Sequence, residues 1–92
     1  MNKAELIDKV AEKASVTKKV ANEVVSATLE VLEEAVAEGE KVTLVGFGSF
    51  EQRERKAREG RNPRSGELLT IPATKVPAFS PGKQFKERVA TA

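Results

Sequence analysis

The sequence predicts an α+β protein in which two helices precede a small antiparallel sheet and a third helix ends the chain. Apolar residues recur at helical spacing through residues 3–36. Strand-like composition follows at 41–50 and again at 68–79, with a polar, arginine-rich segment between the two stretches. These observations predict the order α, α, β, β, long arm, β, α in one 92-residue chain.

The first two helices are predicted from their caps and their apolar stripes. Asn2 with Glu5 resembles a capping box that starts a helix over 3–14. Thr17 is the expected N-cap of a second helix, and Gly39 ends it. The second helix carries two adjacent apolar stripes, formed by Val20, Val24, Ala27, Val31 and Ala35 and by Val25, Thr28, Leu29, Leu32 and Val36. A face this broad exceeds what the first helix can cover, so it needs a sheet, a partner chain or both.

The second half is predicted to contain a strand at 41–45, a tight turn at 46–48 and a long return limb. Pro72 and Pro77 in that limb must lie on exposed edges or bulges, because proline cannot donate a ladder hydrogen bond. Ser80 and Pro81 are the expected N-cap and first residue of a helix over 81–90. The core is expected to contain all four phenylalanines, which are Phe47, Phe50, Phe79 and Phe85.

The size of the chain predicts self-association. Without the polar arm at 53–75, roughly 69 residues remain to build a core, which is marginal for an independent domain. The chain has no cysteine for a disulfide, and neither histidine nor cysteine for a structural zinc site. An obligate dimer is therefore expected.

Charge is divided unevenly along the chain. Residues 1–45 carry six lysines and nine acidic residues, a balance of −3, whereas residues 46–92 carry ten basic and five acidic residues, a balance of +5. Every arginine lies at position 53 or later. Because the arginine fork suits phosphate and base-edge contacts, the second half is predicted to be the working half.

The stretch 53–66 holds six of the sixteen basic residues and ends in the turn sequence Asn-Pro-Arg-Ser-Gly. A hairpin with about ten residues per limb would reach roughly 30 Å, long enough to enter a DNA groove. The candidate phosphate or minor-groove contacts are Arg53, Arg55, Arg58, Arg61, Arg64 and Lys75. The alternative is a solvated loop with ordinary salt bridges, which the arginine bias, the length and the absence of core-directed periodicity disfavour.

Pro63 has two interpretations. Proline after asparagine commonly forms a turn. An exposed apolar ring at the tip of a basic arm can instead wedge between base pairs and kink the duplex, so that the DNA wraps more of the protein surface.

Other functional classes receive little support. The chain lacks His, Cys, Tyr and Trp, so only scattered Asp, Glu and Lys could act as acids or bases, and we expect no enzyme, cofactor or metal site. No apolar run approaches the length of a membrane span, and no apolar signal segment opens the chain. We expect a soluble intracellular protein.

Along its whole length the sequence resembles the bacterial HU and integration host factor family. The resemblance rests on Gly-Phe-Gly-Ser-Phe at 46–50, Arg55, Arg58, Gly60 and Asn-Pro-Arg at 62–64, together with the opening Met-Asn-Lys-Ala-Glu-Leu-Ile and the closing Pro-Ala-Phe-Ser-Pro-Gly-Lys. It is closest to the HU branch, and the arm sequence Lys-Ala-Arg-Glu-Gly-Arg-Asn-Pro is similar to cyanobacterial forms.

The resemblance implies one domain and an intertwined homodimer with a three-stranded antiparallel sheet in each chain. The implied parts are a helical dimerisation base at 1–39, the sheet at 40–52 and 76–80, the β-ribbon arm at 53–75, and a C-terminal helix and tail at 81–92.

The resemblance also implies a histone-like cytoplasmic protein of the nucleoid that bends and compacts double-stranded DNA with little sequence preference. Bent, nicked or kinked DNA would be preferred. Pro63 would intercalate with Arg61, Asn62 and Arg64 around it. The residues that would follow the DNA groove and backbone are Arg53, Arg55, Arg58 and Lys75. The residues that would approach flanking phosphates are Lys3, Gly46, Lys83 and Lys86.

Two alternatives stay open. A sequence-specific relative like integration host factor would bend DNA as one subunit of a heterodimer. An RNA-binding or ribosomal protein with a basic extension is the alternative from another class, and RNA is expected only as a secondary partner. RNA readers usually display stacking aromatic rings, whereas the phenylalanines here are expected to be buried.

Overall fold

The structure, a computed structural model, describes residues 1–92 and contains three helices and five strands. In chain order they are α1 (Lys3–Ala14), α2 (Lys18–Ala37), β1 (Val42–Leu44), β2 (Gly48–Arg55), β3 (Arg58–Arg61), β4 (Leu68–Ile71), β5 (Thr74–Pro81) and α3 (Lys83–Ala90). β2 pairs with β1 and β5 in an antiparallel three-stranded sheet, and β3 pairs with β4 in a separate ribbon. The α+β class and the predicted order are confirmed. The chain divides into two compact units, residues 1–34 and 35–92.

The predicted helix starts in the first unit are confirmed by their capping hydrogen bonds. Asn2 Oδ1 accepts a hydrogen bond of 2.9 Å from the backbone N–H of Glu5. Thr17 Oγ1 accepts one of 3.2 Å from the N–H of Val20. Each bond satisfies a helix N–H that has no partner inside the helix, so the two helices begin where the sequence predicts.

The core of the first unit is small and leaves an apolar face open. Ile7, Ala11 and Ala21 form the buried cluster, and partly buried Val10 and Val25 pack against it. The neighbouring stripe on α2 stays exposed, with fractional exposures of 42% for Val20, 57% for Val24 and 62% for Val31. The expectation that α1 cannot cover this broad face is confirmed.

In the second unit, the end of α2 is tied to strand β2. Gly39 adopts a φ of 89°, and its N–H donates to the Val36 carbonyl at 3.0 Å, which ends the helix as predicted. Gln52 Nε2 donates to the carbonyls of Val36 and Ala37, each at 3.3 Å. The side chain of Gln52 thereby satisfies helix carbonyls that have no partner within α2.

The four phenylalanines form one cluster, but none of them is buried in the single chain. The ring centroids of Phe50 and Phe79 are 4.7 Å apart, and those of Phe47 and Phe85 are 5.2 Å apart. Phe47 is 45% exposed and Phe79 is 39% exposed. The expectation that all four lie in the core is therefore wrong for one chain, because a three-stranded sheet and an eight-residue helix supply too little apolar surface to enclose four rings.

The start of the last helix differs from the expectation. Ser80 and Pro81 do not cap or begin a helix; they pair with Ser49 and Gly48 as the last residues of β5. α3 begins only at Lys83, with Gly82 as an N-cap that makes no side-chain bond. Strand pairing, rather than the local Ser-Pro helix signal, determines the structure here, because Ser80 and Pro81 extend a β-ladder that is eight residue pairs long.

The two prolines of the return limb obey the predicted constraint. Pro77 lies in β5, which is an edge strand of the three-stranded sheet, and Pro72 lies between β4 and β5, outside both strands. None of the three helices combines the length and apolar character that crossing a membrane requires.

Candidate nucleic-acid interface

The predicted arm is a paired hairpin with one matched interruption. β2 and β5 remain in register out to the pair Arg55–Thr74, and pairing resumes at Arg58–Ile71 in the ribbon of β3 and β4. Two residues are unpaired on each limb, 56–57 on one and 72–73 on the other, so the register of the inner pairs carries through to the outer ones. We call these four residues the ribbon break. Pro72 lies within it and has no N–H to donate to a ladder.

The basic side chains at the base of the arm lie on two different faces. Residues that pair across strands share a face, and successive residues alternate. Arg53 and Arg55 therefore share the face opposite to the one that carries Phe50. Lys75 pairs with Glu54 and lies on the phenylalanine face. The sequence identified these cations but not their division between faces.

The ribbon of β3 and β4 carries apolar side chains beside its arginines. Arg58 shares one face with Gly60, Leu69 and Ile71, and Arg61 shares the other face with Glu59, Leu68 and Thr70. The leucines are well exposed, at 66% for Leu68 and 47% for Leu69. Sequence reasoning missed this apolar surface, although the run Leu-Leu-Thr-Ile at 68–71 was its visible signal.

The tip of the arm is a closed turn. Asn62 N–H donates to the Glu67 carbonyl at 2.8 Å, and Gly66 N–H donates to the Asn62 carbonyl at 2.8 Å. Pro63 and Arg64 lie inside this turn and are both exposed. The predicted turn role of Pro63 is confirmed, and the exposed ring is also compatible with the wedge interpretation.

Most cations of the arm have no acidic partner. Arg53 lies 3.4 Å from Glu51 Oε1 and also donates to Ser80 Oγ at 3.4 Å. No carboxylate lies within 4.0 Å of the remaining predicted arm cations, which are Arg55, Arg58, Arg61, Arg64 and Lys75. The arm is thus a hydrogen-bonded ribbon with unpaired positive charges, which disfavours the alternative of a loop held by ordinary salt bridges.

An open pocket of about 450 Å³ lies at the ribbon break. Three cations line it together with an apolar or hydroxyl wall; the lining residues are Arg55, Lys56, Arg58, Ile71, Pro72 and Thr74. Lys56 and Thr74 were not among the predicted site residues. Their contribution depends on strand pairing across the break, which composition alone does not reveal.

The predicted contacts on the body fall into two places. Gly46 has a φ of 83°, and a Cβ there would lie 2.7 Å from Gln84 Oε1, so the turn after β1 lies against the first turns of α3. This brings Gly46 close to the helix that carries Lys83 and Lys86. Lys83 Nζ is 3.9 Å from Glu87 Oε1 in an exposed pair. Lys3 is exposed at the start of α1, in the first unit.

No group of three or more acidic side chains converges as metal ligands would. The arm offers positive charge, hydrogen-bond donors and exposed apolar side chains along an extended backbone.

Comparison with known proteins places the chain among relatives that match nearly its whole length. DNA-binding protein HU of Nostoc sp. is 70% identical over 90 residues, covering 98% of this chain and 96% of the relative. DNA-binding protein HU of Synechocystis sp. is 62% identical over 96 residues, with the same coverage of 98% and 96%.

Solved structures agree in fold. The Anabaena HU–DNA cocrystal structure matches with a TM-score of 0.93 at 68% identity, covering all of both chains. HU from Thermotoga maritima matches with a TM-score of 0.68 at 42% identity, covering 97% of this chain and 98% of that one. The family described as bacterial DNA-binding protein matches residues 1–90, and the chain belongs to that family.

Proposed function

We propose that the chain forms a homodimer that binds double-stranded DNA with two arms, bends it and compacts it with little sequence preference. The observation that carries the proposal is the arm itself: a paired ribbon whose outer cations have no carboxylate partner and whose tip exposes a proline. The role is architectural rather than enzymatic, and its place is the bacterial nucleoid.

The homodimer is supported by the apolar surface that one chain leaves open. Only four apolar side chains are buried, Ile7, Ala11 and Ala21 in the first unit and Val36 in the second, and no large side chain is fully enclosed. Contact with water is unfavourable for the exposed stripe on α2 and for the half-exposed phenylalanine rings, so an apolar partner surface would stabilise them. A second copy of the chain offers the same apolar surface, as an isologous interface requires.

Two observations support double-stranded DNA as the partner: the positive charge of the arm and the similarity to a relative that was crystallised with DNA. The unpaired arginines can neutralise phosphates and release counterions, which supplies affinity without base readout. A relative with 68% identity over the whole chain was crystallised as an HU–DNA complex. By this proposal Arg53, Arg55, Arg58 and Lys75 follow the groove and backbone, while Lys3, Gly46, Lys83 and Lys86 approach flanking phosphates.

Minor-groove binding with proline intercalation is the finer part of the proposal. Pro63 is exposed at the tip, with Arg61 and Arg64 on either side to hold phosphates. Architectural proteins of the minor groove, HU among them, insert apolar wedges between base steps and gain a bent duplex that contacts more protein surface. Nicked or gapped DNA bends at lower energetic cost, so the protein should prefer it.

RNA is the second candidate partner, because the half-exposed rings of Phe47 and Phe79 could stack on unpaired bases. A competition experiment separates the two. A fluorescent duplex bound to the protein is challenged with intact duplex, gapped duplex and a structured RNA hairpin at equal nucleotide concentration, at two salt concentrations. DNA binding predicts that gapped duplex competes best and that affinity falls steeply with salt. A hairpin that competes better than gapped duplex would favour RNA, and a flat salt profile would contradict the electrostatic basis of the proposal.

A further inference from the structure

The tip of the arm is organised around one residue, Asn62. Asn62 uses three of its polar atoms inside the turn: N–H donates to the Glu67 carbonyl at 2.8 Å, the carbonyl accepts from Gly66 N–H at 2.8 Å, and Oδ1 accepts from Arg64 N–H at 2.9 Å. It is the only half-buried residue between 61 and 71, where all others are exposed. Asn62 is therefore the internal anchor of the turn.

The Oδ1 bond encloses Pro63. It runs from Asn62 to the N–H of Arg64, so the proline is the one residue between its two ends. Proline has a fixed φ and no N–H, and so cannot hold its own place in the turn by a hydrogen bond. Its ring direction depends on the bonds made by the residues on either side.

We propose that Asn62 is a positioning residue for Pro63: its side-chain oxygen orients the proline ring for insertion between base pairs rather than contacting DNA. This inference rests on the proposed intercalation and adds a role to it. The side-chain oxygen already accepts one hydrogen bond within the protein, from the N–H of Arg64. Arg61 and Arg64 remain available for the phosphates, and neither has a carboxylate partner.

A neutral hydrogen bond of this kind corresponds to roughly a fivefold change in the population of the ordered turn. Asn62→Ala should therefore reduce that population about fivefold. Asn62→Ser should restore most of it, because a serine hydroxyl accepts the same local bond while lacking the amide NH2 group. The pair of variants separates an orienting oxygen from a DNA-contacting amide.

The experiment uses the full-length chain, with and without DNA. Amide hydrogen exchange of Arg64 and Gly66 is measured in the free wild type, Asn62→Ala and Asn62→Ser proteins. Bending of an intact duplex is followed by energy transfer between end labels, and affinity is measured for that duplex and for a gapped one. Asn22→Ala, which removes an asparagine from the exposed surface of α2, is the matched control.

For Asn62→Ala we expect faster exchange of the Arg64 amide and weaker bending of intact duplex. Its affinity for gapped DNA should stay within about twofold of wild type. Asn62→Ser should recover most of the amide protection and of the bending. Equal losses of affinity by both variants on both DNAs would overturn the inference in favour of direct contact between the Asn62 amide and DNA. Unchanged exchange of the Arg64 amide in Asn62→Ala would also overturn the inference. If the wild type fails to bend DNA, the proposed function fails, whereas the exchange data still decide whether Asn62 holds the turn.

Discussion

Removal of one arm cation should change the salt dependence of DNA binding by a calculable amount. Arg55 is exposed at the outer end of β2, opposite Thr74 and beside the ribbon break, and no carboxylate lies within 4.0 Å of it. Its positive charge is therefore free to meet a phosphate. Arg55→Ala removes one such contact from each arm, and hence two from a homodimer.

The magnitude follows from counterion release. If about eight phosphates are neutralised, log K falls with log salt at a slope of roughly −7, and each phosphate contributes about 0.9. Losing two contacts should lower the steepness by about 1.8, to a slope of roughly −5. Between about 50 and 200 mM salt, the wild type would then lose affinity by about 10⁴-fold and the variant by about 10³-fold.

The assay is fluorescence anisotropy of a labelled duplex at five or more salt concentrations. Arg88→Ala is the matched control, because it deletes the same side chain at a position of α3 that is not among the proposed DNA contacts, and it changes the net charge equally. Its slope should equal that of the wild type. An unchanged slope for Arg55→Ala, or the same reduction in both variants, would refute the assignment of Arg55 to a phosphate.

Three further changes test the wedge, the sheet and the dimer. Pro63→Ala should reduce bending of intact duplex, measured by energy transfer, more than affinity for already kinked DNA; equal losses would argue against intercalation. Gly48→Ala should lower the free energy of unfolding by about 1–3 kcal/mol in urea titrations, because the new Cβ would lie 2.6 Å from a ring carbon of Phe79. Gly60→Ala is the control, and it should change the free energy of unfolding little, because the nearest atom to its Cβ is 3.4 Å away. Val31→Asp should dissociate the dimer in light scattering, while Asn22→Asp, which adds the same charge away from the apolar stripe, should not; a dimeric Val31→Asp protein would contradict the proposed interface.

Features that depend on neighbouring residues were predictable from the sequence. Asn2, Thr17 and Gly39 mark helix ends because each acts through a hydrogen bond or a backbone angle a few residues away. The Ser80-Pro81 signal was equally local but misleading. Its outcome was decided by pairing with residues more than thirty positions earlier in the chain, which no local pattern encodes.

The candidate site divides in the same way. The positive charge of the arm and its proline tip are visible in composition, so the cations could be named from the sequence alone. Their division between faces, the pocket at the ribbon break and the unpaired state of Arg55 follow from strand register. The phenylalanines were misjudged because their exposure depends on a surface that a single chain does not contain.

The matched ribbon break restricts how the length of the arm can vary. Each limb leaves two residues unpaired at the break, so the outer strand pairs keep the register of the inner ones. A single inserted residue on one limb would shift the pairing and exchange the two faces of that strand. One extra residue on each limb would preserve pairing but turn the tip to the opposite side, whereas two on each would lengthen the reach by about 7 Å and leave the tip facing as before. Arms of this design can thus keep both their pairing and the orientation of their tip only when each limb is extended in steps of two residues, a rule that applies directly to grafting longer or shorter DNA-reaching ribbons onto the same body.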